Sequence, residues 1–197
     1  MPKHLIYRAS RKREALRQGE ILTGVIQFQA ILGNSSSDIE NAKFRPIVHP
    51  YGIIITQDCD LDWDCTARKN QDKPYKLLNS ILFCAIYTAQ EIRSDQNNQI
   101  NSKEWDLVKS NRHQQYYFFE QVPSNCELLK EGLPELTADF KKIFAIDTEF
   151  LYQQIKLKIA KRRTILKTPY LEHFSRRYYE YHGRVALPAQ HESAKGG

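Results

Sequence analysis

No stretch of this sequence approaches the roughly 20 consecutive apolar residues that a membrane-spanning helix needs, so no membrane role is expected. The N-terminal MPKHLIYRASRKREALRQ is basic but lacks an apolar core and a small-residue cleavage site, which excludes a signal peptide and predicts a cytoplasmic protein. Cysteine is sparse: Cys59, Cys65, Cys84 and Cys126 form no CxxC pair and no zinc-type spacing with histidine. Reduced thiols are therefore expected, with Cys84 a small core residue inside an apolar run. No internal repeat is present, and no cofactor or bound metal is expected.

What remains is an ordinary globular composition. The chain has 197 residues, 41% of them hydrophobic and 26% charged, enough for one domain with a sizeable core. Net charge is +6 and the positive charge is clustered. One cluster holds Arg8, Arg11, Lys12, Arg13 and Arg17; the other holds Lys156, Lys158, Lys161, Arg162, Arg163 and Lys167. Clustered cations release counterions when they neutralise phosphates, so RNA or another nucleic acid is a fitting partner. Two solvated faces account for the same clusters without function.

The most informative stretch is IVHPYGIIITQDCDL at 47–61. Its apolar run ends in Gln57, Asp58, Cys59 and Asp60, a pattern that predicts a core strand buried on both faces with a polar string leaving at its end. His49 is expected at the opposite end of that strand. Alternation over 20–28 puts Leu22, Ile26 and Phe28 on one side of an earlier strand. Further strands are expected at 80–87, 116–119, 140–146 and 162–167. Helices are expected at 103–111 behind Ser102, after Asp147, and at 170–182 behind Thr168 and Pro169, ending at Gly183. GNSSSD at 33–38 reads as a loop. Without βαβ alternation, these elements predict an α+β fold: a small, mostly antiparallel β-barrel carrying inserted and C-terminal helices. Residues 1–18 are expected as a basic arm or helix, 19–188 as one domain with an insertion at about 91–138, and 189–197 as a flexible tail.

Four segments together resemble the PemK/MazF family of small-barrel endoribonuclease toxins. Gly19-Glu20-Ile21 resembles that family's opening strand. Arg45-Pro46 or His49-Pro50, ahead of GIIITQD, resembles its Arg-Pro and apolar strand. AIYTAQ at 85–90 resembles the strand that ends in threonine, and KIFAIDTEFL at 142–151 the strand running into Asp and a helix. The likeness covers roughly 19–160. It implies metal-independent RNA cleavage by Arg45, or His49 in its place, together with Thr88, and a protein partner or antitoxin. The TQDCDL string also resembles a motif of uncharacterised bacterial proteins, which implies no activity.

Such cleavage needs a base for the 2′-hydroxyl, an acid for the leaving oxygen and a cation on the phosphate. His49 suits the acid or base, Arg45 the cation and Thr88 an orienting hydroxyl; alternatively His49 packs beside Pro50 and Arg45 is a surface residue. At about 3.3 Å per extended residue, the four-residue offset between Arg45 and His49 is roughly 13 Å, too far for both to touch one phosphate unless the segment folds back. Asp58, Asp60, Asp62 and Asp64, if extended, share one face and could ligate Mg²⁺ or Mn²⁺. A calcium loop is excluded because Trp63 or Cys65 stands where glycine is required. Carboxylates on both sides of Cys59 disfavour a thiolate nucleophile there. Arg11, Lys12, Arg13, Lys161, Arg162, Arg163, Arg176 and Arg177 are the expected nucleic-acid contacts, with Tyr179 available to stack a base. The rival reading is a non-catalytic protein-interaction module, which accounts for the insertion and the C-terminal segment.

Overall fold

The structure, a computed structural model, describes residues 5–31, 43–98 and 100–184. The strands are β1 (Tyr7–Ala9), β2 (Glu20–Ile31), β3 (Lys43–Ile54), β4 (Ser80–Thr88), β5 (Tyr116–Phe119), β6 (Leu136–Asp147) and β7 (Lys161–Leu166). They pair antiparallel in the order β1-β7-β2-β3-β4-β6-β5, so the fold is α+β with one seven-stranded sheet. That sheet is open, with β1 and β5 at its edges, and among the described residues the expected barrel closure by backbone pairing does not occur. It is nevertheless curled: the Tyr7 hydroxyl donates to the Glu120 carbonyl, one residue past β5, at 2.8 Å. The helices are α1 (Asp58–Asn70), α2 (Ala89–Ser94), α3 (Ser102–Lys109), α4 (Thr148–Lys156) and α5 (Tyr170–His182).

Both faces of the sheet centre are buried, as the isoleucine run predicts. Ile53 and Ile55 enter one apolar cluster with Ile21, Ile86, Phe119 and Phe140, while Ile54 enters the other with Leu22, Ile81, Phe83 and Phe144. The first cluster fills the inside of the curl and is capped by α5. Its Phe174 ring lies 5.2 Å from Tyr117, 5.7 Å from Phe119 and 5.9 Å from Phe140, centroid to centroid. Leu61 of α1 and Leu151 of α4 cover the second cluster. The insertion supplies β5 and a third small cluster, Ile92, Trp105, Val108 and Tyr116.

Helix entry follows the local chemistry. Asp147 accepts from the Phe150 N–H at 2.8 Å and caps α4, as expected. Asn101, not Ser102, caps α3 in a reciprocal box with Glu104. Helix α5 spans the expected residues, with Leu171, Phe174, Tyr178 and Tyr181 turned to the core. Pro169 is its N-cap without a side-chain bond, and the Thr168 hydroxyl donates to Glu172 at 2.8 Å instead of capping.

Three expectations fail for physical reasons. The alternation of β2 breaks at Gly24, whose φ of +71° lets the chain pass with its Cα against the Ile159 carbonyl; a Cβ there would lie 2.8 Å from that oxygen. Val25 is therefore buried and Phe28 is 52% exposed. The string DCDLDWD is not extended but forms the first half of α1, so its carboxylates diverge around the helix. Residues 5–18 are neither a helix nor a detached arm: β1 joins the sheet, and Ala15 and Leu16 are buried. The loop at 33–38 and the tail from 189 lie outside the described residues.

The N-terminal segment is held by Arg162, which pairs with Glu20 at 2.6 and 2.9 Å and donates to the carbonyls of Glu14 and Ala15. Both charges are buried. Removing one partner strands the other, so Glu20→Ala is expected to lower the unfolding free energy by about 3–5 kcal/mol in a urea titration. Glu20→Leu with Arg162→Met is expected to recover part of that loss.

Candidate nucleic-acid interface

The two basic clusters of the sequence meet in the fold. Lys12, on the turn after β1, faces Lys156 at the end of α4, Lys158 in the following turn and Lys161 at the start of β7. They line a groove of about 580 Å³ whose floor is Leu128, Leu129, Ile155 and Ala160. Among the described residues none of these four lysines forms an ion pair. Glu131 is the single acid on the groove, and it is engaged by Arg163 at 3.1 Å. Four free ammonium groups above an apolar floor form a surface suited to a polyanion with apolar faces.

Arg163 does not line that groove, and Arg162 lines it with its guanidinium turned to a carboxylate, contrary to the expectation of two free contacts. Alternate residues of a strand point to opposite faces, and both faces of β7 are buried. Arg162 is sealed against Glu20, and Arg163 pairs with buried Glu127. Burial works to raise the Glu127 carboxyl's pKa, but the Arg163 hydrogen bond and the N–H groups of Leu129 and Glu131 outweigh it and hold the group below the usual range. Arg11 is exposed and paired with Glu14, and Arg13 is exposed close by in the sequence. Arg176 and Arg177 both meet Glu180 on α5; Arg177 also donates to the His113 carbonyl. Tyr179 stays 49% exposed on that helix.

His49 and Arg45 lie mid-strand, not at a strand end, because β3 begins at Lys43 and runs through Pro46 and Pro50. The segment does not fold back, so the roughly 13 Å offset stands. Arg45 donates to Gln29 Oε1 at 2.7 Å across the ribbon. His49 stacks flat on Phe144, 3.6 Å between centroids, and its Nε2 meets Gln27 Oε1 at 3.0 Å. Phe144 can reach that far because Gly52 has no side chain; a Cβ there would lie 3.1 Å from the Phe144 and Phe83 rings. With an amide oxygen at Nε2, the neutral ring keeps its proton there and Nδ1 is the basic atom. The β3–β4 ladder ends at Tyr51↔Ile86, so His49 and Thr88 both stand just beyond its same end. Thr88 is committed to a capping box with Glu91, donating to Oε2 at 2.7 Å and accepting from the backbone N–H at 3.2 Å.

The Gln57–Asp60 string is the entrance to α1. Asp58 accepts from the Gln18 N–H at 2.7 Å and sits 3.7 Å from Arg17, while Asp58 and Asp60 place negative charge at the helix N-terminus. Gln57 approaches the Tyr179 hydroxyl at 3.5 Å, and the exposed Cys59 thiol lies 3.7 Å from Gln57 and from Asp60. Asp64, one helical turn on, is fully buried and accepts from Arg68, the Leu78 N–H and the Tyr152 hydroxyl. Among the described residues no three His, Cys, Asp or Glu side chains converge as metal ligands.

Burial lowers the His49 pKa below the ordinary histidine value of about 6.5. Folding thus favours the neutral ring; its stabilisation is present above pH ~6.5 and is lost as pH falls, because the unfolded chain then binds the extra proton. Wild-type stability is expected to decline below that pH, and His49→Phe, which preserves the stack, is expected to decline less. An NMR titration placing His49 at or above 6.5 would contradict this. No protein-family model and no curated protein matches this chain.

Proposed function

We propose that this chain is an RNA-binding protein of MazF-like character, whose lysine groove carries the phosphate backbone of a single strand. The convergence of Lys12, Lys156, Lys158 and Lys161 over an apolar floor is the observation that carries this reading. The net charge of +6 and the resemblance of the 19–160 region to small-barrel endoribonucleases support it. Four phosphate contacts on a single strand correspond to a fall in log K of about 2.8 per decade of salt. Lys156→Gln with Lys158→Gln is expected to reduce that slope by about 1.4 without lowering stability, since it relieves repulsion among the lysines. A wild-type slope near zero on mixed single-stranded RNAs would sink the reading.

In this reading cleavage is metal-independent, His49 is the general base through Nδ1 and Arg45 serves binding only. His49→Ala is then expected to abolish cleavage in EDTA, with Arg45→Ala merely weakening binding. Cleavage unchanged in His49→Ala removes the assignment, and cleavage lost on adding EDTA redirects it to a metal.

A second reading, a protein-interaction module, rests on the ribbon formed by β2 and β3 beyond Val25↔His49. One of its faces carries Ile26, Phe28, Ala30, Phe44, Pro46 and Val48 and no charge, with Phe44 66% and Val48 59% exposed. Under this reading a stoichiometric partner co-purifies at physiological salt and is lost in Phe28→Ser with Phe44→Ser, while RNA binding stays intact. Loss of both together, or of neither, would count against it.

A further inference from the structure

The insertion and the C-terminal helix, which the resemblance to small barrels leaves unexplained, enclose a second cavity of about 550 Å³. Its walls carry three cations, Arg112 from the turn after α3, Lys141 from β6 and Arg184 just past α5, together with His113, Tyr181 and Glu104. Among the described residues none of the three cations forms an ion pair.

Arg112, Arg184 and His113 are held in place, Arg112 by donating to the Ser110 hydroxyl at 3.1 Å. Arg184 lies over the Tyr181 ring, 3.9 Å from guanidinium carbon to centroid, and is fixed by the Tyr181 carbonyl and by Gln114 Oε1. A guanidinium stacked in this way presents a flat face as well as charge. His113 Nδ1 faces the backbone N–H groups of Gln115 and Tyr116 at 3.2 and 3.3 Å. Those two donors make Nδ1 the acceptor, so the ring proton sits on Nε2 and the imidazole offers a donor from its other edge. Glu104 is occupied at the cap of α3, accepting from the Asn101 N–H at 2.9 Å. Asp139 beneath the wall is taken up by Gln115 Nε2 and the Lys141 N–H. Both carboxylates stay charged, but three cations line the cavity against the single acid Glu104, so its net charge is positive.

We propose that this cavity binds a nucleoside monophosphate group, its phosphate held by Arg112 and Lys141 and its base stacked against the Arg184–Tyr181 pair. The chemistry follows from the wall: cations and a neutral donor for a compact anion, beside a flat aromatic and guanidinium surface for a planar ring. Two sources offer that group, a free mononucleotide and the phosphorylated end of a nucleic acid chain. The site is separate from the lysine groove, sharing no lining residue with it.

Calorimetry on the full chain with AMP, inorganic phosphate and adenosine tests the proposal. AMP is expected to bind more tightly than either fragment. Charge-neutral Arg112→Gln, Lys141→Gln and Arg184→Gln alter exposed side chains and keep the fold, which a thermal melt verifies. Each is expected to weaken AMP by about tenfold, the effect of one charge-assisted hydrogen bond. Oligonucleotides with and without a terminal phosphate distinguish the sources: preference for the phosphorylated end identifies a chain terminus, and equal binding with AMP retained identifies the free nucleotide. The Lys156→Gln, Lys158→Gln protein is expected to bind AMP normally, so failure of the groove and failure of this site are separable. Absence of AMP binding at millimolar concentration, or wild-type affinity in the three variants, overturns the proposal.

Discussion

Two adjacent arginines on β7 hold the basic face together while their own charges are spent on buried carboxylates. Arg162 reaches Glu20 and the carbonyls of Glu14 and Ala15, which fixes the segment that presents Lys12. Arg163 reaches Glu127, whose carboxylate gathers the N–H groups of Leu129, Glu131 and Gly132. The Leu128 N–H closes the same loop onto the Arg163 carbonyl at 2.9 Å. That loop is the floor of the lysine groove. A buried charge pair gains little net free energy over an apolar pair but is costly to break, so it fixes one arrangement more than it adds stability. On β7 the arrangement fixed is the one that brings chain segments around 12, 128 and 158 to a single groove.

The β3 strand imposes the opposite constraint on the chemistry. An extended strand spaces its residues and cannot gather them, so Arg45 and His49 address different places along any bound chain. The stacking of His49 on Phe144 and its bond to Gln27 hold the imidazole rigid and neutral, which suits a base. The same contacts also serve packing alone, since Phe144 in turn stacks on Phe83 at 5.2 Å in the core.

Much of the fold was legible because the signals were local. Ile53, Ile54, Ile55, Ile81, Phe83 and Phe144 are all buried, and the helix after Asp147 starts at the cap its sequence indicates. The prolines of β3 misled because a strand interior normally needs every N–H. Past Tyr51 the strand pairs with β2 alone, so its other edge tolerates the missing donors at 46 and 50. The alternation of the acidic string suggests an extended segment, but acids at the start and Arg68 and Lys69 at the end are the charge order of a helix. Arg162 and Arg163 could not be placed from sequence. Their partners Glu20 and Glu127 are 142 and 36 residues away, and nothing local separates a paired arginine from a free one. Arg112, Lys141 and Arg184 carry no signal in the sequence for the same reason: they are isolated along the chain and meet only in the fold.

That difference in pairing bears on what the surface is for. Cations whose role is structural find carboxylates in this protein: Arg68 meets Asp64, Arg162 meets Glu20 and Arg163 meets Glu127. Lys12, Lys156, Lys158 and Lys161 are instead set around one concavity whose single acid, Glu131, is engaged by Arg163, and there their mutual repulsion opposes folding. Lysine keeps this cost small, because its stem lies along the apolar floor while the ammonium stays in water. An anion entering the groove would relieve the repulsion and release its own counterions, so the feature that weakens the free protein favours the bound one. This asymmetry between paired arginines and unpaired lysines is the physical basis for reading the groove as a binding surface and the β7 arginines as its support.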